Sequence, residues 1–169
     1  MNVENTLCFS GHRPDKLGGY DLTSAKNDRI MDKLNETIRE AYTNGYRHFI
    51  SGMALGVDMM GAIEVLTLRD DEGLDITLEC AIPCAEQYKN WTDGYKELWH
   101  NIVEKADKVT YVSNKPYNYV CMQNRNIYMV DNSSLVVAVY DGSAGGTLNC
   151  LKYANSKQKD IIIINPKDI

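Results

Sequence analysis

Residues 141–147, Asp141-Gly142-Ser143-Ala144-Gly145-Gly146-Thr147, join three glycines and two hydroxyls immediately ahead of Leu148 and Asn149. Where such a run opens a helix, its free backbone amides converge on an anion and need no lysine. A tight turn is the plain alternative, and the glycine and hydroxyl content favours a phosphate cradle. Ser51-Gly52-Met53-Ala54-Leu55-Gly56-Val57-Asp58 is a second small-residue run. It carries neither the G-x-G-x-x-G fingerprint nor a Walker A sequence. Gly52 and Gly56 suit a strand-to-helix turn, and Asp58 either stabilises the helix start or accepts from a ribose hydroxyl. Ser10-Gly11-His12-Arg13-Pro14 is the third. Gly11 permits close backbone approach and Arg13 supplies a forked donor for phosphate, although an exposed charged turn has the same composition. In Gln123-Asn124-Arg125-Asn126 a guanidinium could reach a phosphate or carboxylate, whereas the polar pattern alone puts these side chains on a solvated helix face.

Acid–base chemistry needs a positioned carboxylate. Glu64, Glu79 and Glu86 are the nearest by position. Surface charge explains Glu64 and Glu86 equally well, and a satisfied strand residue explains Glu79. Cys150 lies inside a helix with no neighbouring histidine, so it reads as packing rather than as a nucleophile. Cys80 and Cys84 are four apart, but no second pair or histidine cluster completes a zinc site, and His12, His48 and His100 stand apart. No metal or other cofactor is implied. Trp91, Tyr95 and Trp99 recur every four residues and read as one packed helix face; Tyr117 and Tyr119 flank Asn118 in a loop, where one could stack on a base.

The elements that must position these residues alternate. Residues 6–10 predict a buried strand and 24–44 a helix, with Ile30, Met31, Leu34, Ile38, Ala41 and Tyr42 at helical spacing and Gly45 as its stop. Strands follow at 48–51, 76–82, 108–112, 134–140 and 161–164, and helices at 57–68, 119–130 and 146–156. A further helical region is expected over about 85–106, broken near 90–94. Several strands are apolar on both faces, as a covered parallel sheet requires. The expected fold is α/β: a Rossmann-like, doubly wound, mostly parallel sheet with helices on both faces. In such sheets the ligand crevice lies beyond the carboxyl ends of the strands, which is where the three glycine-bearing runs fall.

At 169 residues the chain suits one domain spanning 1–169. With 44% hydrophobic and 24% charged residues it has enough apolar material for a core, which argues against disorder. No apolar run approaches the ~20 residues of a membrane span. The opening Met1-Asn2-Val3-Glu4-Asn5 lacks a secretory pattern, and five scattered cysteines (Cys8, Cys80, Cys84, Cys121, Cys150) suit reduced thiols, so the expected location is the cytoplasm. A net charge of -5 disfavours extended nucleic-acid binding, whose affinity comes from neutralising phosphates.

Taken together the motifs carry a resemblance over nearly the whole chain. Ser10-Gly11-His12-Arg13-Pro14, Ser51-Gly52 with Leu55-Gly56-Val57-Asp58, and Ala81-Ile82-Pro83 with Glu86-Gln87 and Trp91 resemble the YpsA-like branch of the SLOG superfamily, which groups the DprA/SMF and Lonely Guy Rossmann folds. Met122-Gln123-Asn124-Arg125 is similar to the arginine segment of Lonely Guy enzymes, and Gly145-Gly146-Thr147 to their phosphate loop. Those enzymes cleave the N-glycosidic bond of nucleoside 5′-monophosphates with a glutamate three residues after the threonine; here that position is Cys150. The resemblance therefore implies a binder of a nucleotide or nucleotide-derived ligand acting as a non-catalytic sensor or sequestering module, with a Lonely Guy-like hydrolase as the alternative. The expected ligand- and phosphate-binding residues are Gly11, Arg13, Gly52, Gly56, Asp58, Arg125, Gly142, Gly145, Gly146 and Thr147, and a homo-oligomer is left open.

Overall fold

The computed structural model describes residues 2–169, so Met1, the first residue of the run read for a leader, lies outside the described residues. Its strands are β1 (Thr6–Gly11), β2 (His48–Ser51), β3 (Thr77–Ile82), β4 (Lys108–Tyr111), β5 (Leu135–Val139) and β6 (Asp160–Ile164). Between them run α1 (Ala25–Thr43), α2 (Val57–Asp70), α3 (Asp93–Lys105), α4 (Tyr119–Asp131) and α5 (Gly146–Ser156). The strands form one sheet in the order β4-β3-β2-β1-β5-β6, and every pairing is parallel. Strand order reverses between β1 and β5, whose register runs from Leu7 opposite Leu135 to Gly11 opposite Val139.

Period-two alternation divides the sheet's side chains between two cores. Leu7 and Phe9 of β1, Phe49 of β2, and Leu135, Val137 and Val139 of β5 pack with Ile30, Leu34 and Ile38 of α1, the buried face of α2, and Trp99 and Ile102 of α3. Cys8, Ile50, Ala81, Val136 and Ala138 point the other way and pack with Met129 and Val130 of α4 and Cys150, Leu151 and Ala154 of α5. Both faces are thus covered. No described helix is long and apolar enough to cross a membrane.

Local chemistry sets the helix ends. Ser24 accepts from the Asn27 amide at the start of α1, and Asn118 accepts from the Cys121 amide at 2.8 Å at the start of α4. The expected helix over 85–92 is instead a series of turns. Glu86 takes a left-handed backbone with φ 51, the Ala85 amide donates to Lys115 O, and Gln87 bridges Gly52 O and the Trp99 indole. Trp91 accordingly precedes α3 and is not on one helix face with Tyr95 and Trp99; Trp99 packs against Tyr88, ring centroids 4.6 Å apart.

Candidate functional site

The turns after β1, β2 and β5 all lie beyond the carboxyl ends of their strands, on one edge of the sheet. They enclose a cleft of about 290 Å³ at the β1/β5 reversal, with α4 as its far wall. Of the expected site residues, Gly11, Arg13, Asp58, Arg125, Gly145, Gly146 and Thr147 line it, and Gly52, Gly56 and Gly142 do not.

The glycines divide by what surrounds them. A Cβ on Gly11 would stand 2.5 Å from Val57, and one on Gly56, at φ +96, would stand 2.4 Å from the His12 carbonyl oxygen. A Cβ on Gly52 would stand 2.5 Å from Arg125 Nη1. These three therefore let parts of the protein touch one another, and Gly11 does so while also lining the cleft. Gly145 differs: its φ is +146 and nothing lies within 4 Å of the position a Cβ would take, nor around Gly146. The first amides of α5 have no intrahelical acceptor, so this helix end presents donors and its positive dipole end beside the cleft.

Arg125 is not on a solvated face. It is 4% exposed, and Cys121, Arg125 and Met129 form the buried stripe of α4. Their four-residue spacing was readable, but the flanking polar residues obscured it. The guanidinium donates to Gly52 O and to Asn126 Oδ1 and stands 3.7 Å from Asp58 Oδ2. Asp58 is 5% exposed, and its Oδ2 also accepts from the Ala54 amide at 3.3 Å. Burial raises the Asp58 pKa, opposed by the charges of Arg125 and Arg13; burial likewise lowers that of Arg125, opposed by Asp58.

Two residues escaped the sequence reading because their partners are remote in the chain. His12 Nε2 lies 2.7 Å from Asp141 Oδ1 and 3.0 Å from the Asp141 amide nitrogen. The Ser143 hydroxyl and amide also donate to Asp141 Oδ1, at 2.6 and 3.0 Å. These Ser143 bonds, with His12, hold the Asp141 carboxyl well below its ordinary range despite desolvation. Lys16 Nζ donates to Ser143 Oγ at 2.7 Å and so ties the β1 turn to the α5 turn across the cleft. Met122, Asn126 and Met129 complete the α4 wall.

The alternative catalytic candidates lie elsewhere. Glu64 accepts from Asn35 of α1, Glu79 is bonded within the sheet, Glu86 is exposed, and none of them lines the cleft. Cys150 is fully buried, and burial raises its thiol pKa, as befits packing. Among the described residues no group of three or more histidine, cysteine or acidic side chains is arranged to hold a metal.

Comparison with known proteins places this geometry. The profile of the YspA SLOG family (YpsA) matches residues 7–169. The SPbeta prophage-derived protein YoqJ of Bacillus subtilis is 39% identical over 142 residues, covering 75% of this chain and 80% of that one. A UPF0398 protein of Halalkalibacterium halodurans is 25% identical over 169 residues, covering 96% of this chain and 89% of the relative. Among solved structures, DNA processing protein A of Helicobacter pylori, a single-stranded DNA binder, superposes with a TM-score of 0.62 at 17% identity, covering 98% of this chain and 71% of that one. Its Streptococcus pneumoniae counterpart gives 0.62 at 13% identity, with 95% of this chain spanning 50% of that one. At such identities the two structures establish a shared fold.

Proposed function

Because this chain belongs to the YspA SLOG family, we propose that it binds a nucleotide or nucleotide-derived phosphate ligand in the β1/β5 cleft without turning it over. The observation that carries this is the opening of α5: Gly145 and Gly146 leave unobstructed space where side chains would stand, beside the cleft-lining Arg13. The amides hold phosphate, Arg13 adds charge, and Asp58 takes a sugar hydroxyl. At about 290 Å³ the cleft suits a small ligand, near the lower end of the ~300–1,000 Å³ common for such sites. The DNA processing proteins suggest a strand of nucleic acid instead, but a net charge of -5 favours a small ligand. Five buried free cysteines fit a reducing compartment, and we place the protein in the cytoplasm.

Cys150 supports binding without catalysis, since a buried thiol stands where Lonely Guy enzymes have their glutamate. The Asp58–Arg125 pair favours the hydrolase alternative, because it puts a carboxylate beside a guanidinium in the cleft. Thermal melts with nucleoside mono-, di- and triphosphates and cyclic nucleotides test the binding. A ligand at about 100 times its Kd stabilises the fold by roughly 2.7 kcal/mol. For this size the expected rise in Tm is about 5–10 °C, at ~2–4 °C per kcal/mol. Gly145→Val, melting cooperatively, should lose that rise. If no nucleotide moves the wild-type Tm, the proposal fails; if AMP releases its base and Arg125→Ala stops this, the hydrolase is correct.

A further inference from the structure

The cleft is charge-matched at its floor and positive at its rim. At the floor Arg125 faces Asp58 at 3.7 Å and donates to Gly52 O. At the rim, Arg13 caps the 3-10 turn Pro14–Lys16, and the Lys16 amide closes the turn on Arg13 O at 3.1 Å. Arg13 is the extended residue that leads into this turn, and Lys16 is its last residue. Both line the cleft beside the α5 amides. Arg13 forms no side-chain hydrogen bond or ion pair among the described residues, and Lys16 is held by a hydroxyl, Ser143 Oγ, rather than by a carboxylate. Asp15, between them, leaves the turn one net positive charge.

Asp58 orients whatever binds. Its Oδ2 is used by the Ala54 amide, whereas Oδ1 has no partner among the described residues. Fully buried side-chain oxygens without a partner are absent among the described residues, so Oδ1 opens to the cleft that Asp58 lines. A carboxylate oxygen so placed, in a residue only 5% exposed, is an acceptor for a ligand hydroxyl. With the sugar at Asp58, a nucleotide's phosphate chain runs outward past α5 toward the rim.

Resting on the nucleotide-site reading above, we infer that the ligand carries two linked phosphoryl groups, as a nucleoside diphosphate does. The inner group sits on the α5 amides with Arg13. The outer group takes Lys16 from Ser143. Selectivity for phosphate number therefore resides in Lys16, where Lys16→Met keeps the stem and removes the charge.

Titration calorimetry on the full chain tests this with the pairs AMP/ADP, GMP/GDP, CMP/CDP and UMP/UDP. For the best-bound base the diphosphate should bind at least about tenfold tighter than the monophosphate, close to 1.4 kcal/mol. In Lys16→Met, checked for a cooperative melt, that ratio should fall to about threefold or less. A wild-type ratio within threefold, or a full ratio surviving in Lys16→Met, overturns the inference and leaves the nucleotide site standing. Binding of none of the eight overturns the inference, and the nucleotide site falls with it only if the triphosphates and cyclic nucleotides also leave the wild-type Tm unchanged.

Discussion

Glu79 has no exposed surface, and its oxygens are fully engaged. Oε2 pairs with His48 Nε2 at 2.8 Å, while Oε1 accepts from Thr110 Oγ1 at 2.7 Å and Tyr128 Oη at 2.5 Å and lies 3.3 Å from Lys108 Nζ. Burial alone pushes its pKa up. The His48, Tyr128 and Thr110 bonds and the Lys108 charge outweigh that and hold the carboxyl down to about 2. A folded-state pKa below the ordinary 4.5 stabilises the fold above pH 4.5, and that stability is lost as pH falls toward 2. The full effect is about 3 kcal/mol, at ~1.4 kcal/mol per pKa unit. Glu79→Gln should therefore be less stable than wild type by a few kcal/mol in urea at pH 7, with the gap narrowing between about pH 4.5 and 2. An equal gap at pH 7 and pH 2 would show that the carboxylate is not held in this way. The consequence is structural, since the network ties β2, β3, β4 and α4 together away from the cleft.

At the scale of elements, the cleft exists because turns and helices approach closely. Gly56 starts α2 against the backbone of the β1 turn, where the Val57 amide donates to His12 O. Gly142 shares its positive φ, +91 against +96, but has open space around it. Alanine at either position meets a positive-φ backbone penalty of ~1–3 kcal/mol. Only at Gly56 must the His12 backbone also move, because the new Cβ would stand 2.4 Å from its oxygen. Gly56→Ala should thus be less stable than Gly142→Ala by about 1–3 kcal/mol, as for other overpacked sites. Urea midpoints compare the two variants directly. Equal midpoints would mean that the β1 turn is free to move away from α2, and the rim carrying Arg13 and Lys16 with it.

For the whole molecule, strand order is what makes the site. Reversal at β1/β5 sends α1–α3 to one face and α4 and α5 to the other, and opens a crevice between the two departing turns. The same molecule carries a net charge of -5, and its positive groups at the cleft sit among the acids Asp15 and Asp58. A 30-nucleotide single-stranded oligonucleotide should therefore produce no mobility shift at ~150 mM salt and micromolar protein, where counterion release is weak. A clear shift that weakens steeply as salt rises would instead align this chain with its DNA-binding structural neighbours.

Alternation of apolar runs with amphipathic stretches was enough to determine the doubly wound sheet, because burial on both strand faces and on one helix stripe leaves a direct record in residue order. The three turns beyond the strand ends were legible for the same reason: glycine, serine and threonine cluster where a chain must turn tightly and expose amides. Tertiary structure alone decided what each glycine faces, since Gly11, Gly52 and Gly56 meet protein while Gly145 and Gly146 meet open space. It also decided the partners of His12 and Arg125, which are Asp141 and Asp58. Those pairs join segments remote in the chain, brought together only by placing β5 beside β1 and folding α4 over the sheet. Local sequence records the conformational needs of a segment, but not which distant charge will neutralise it.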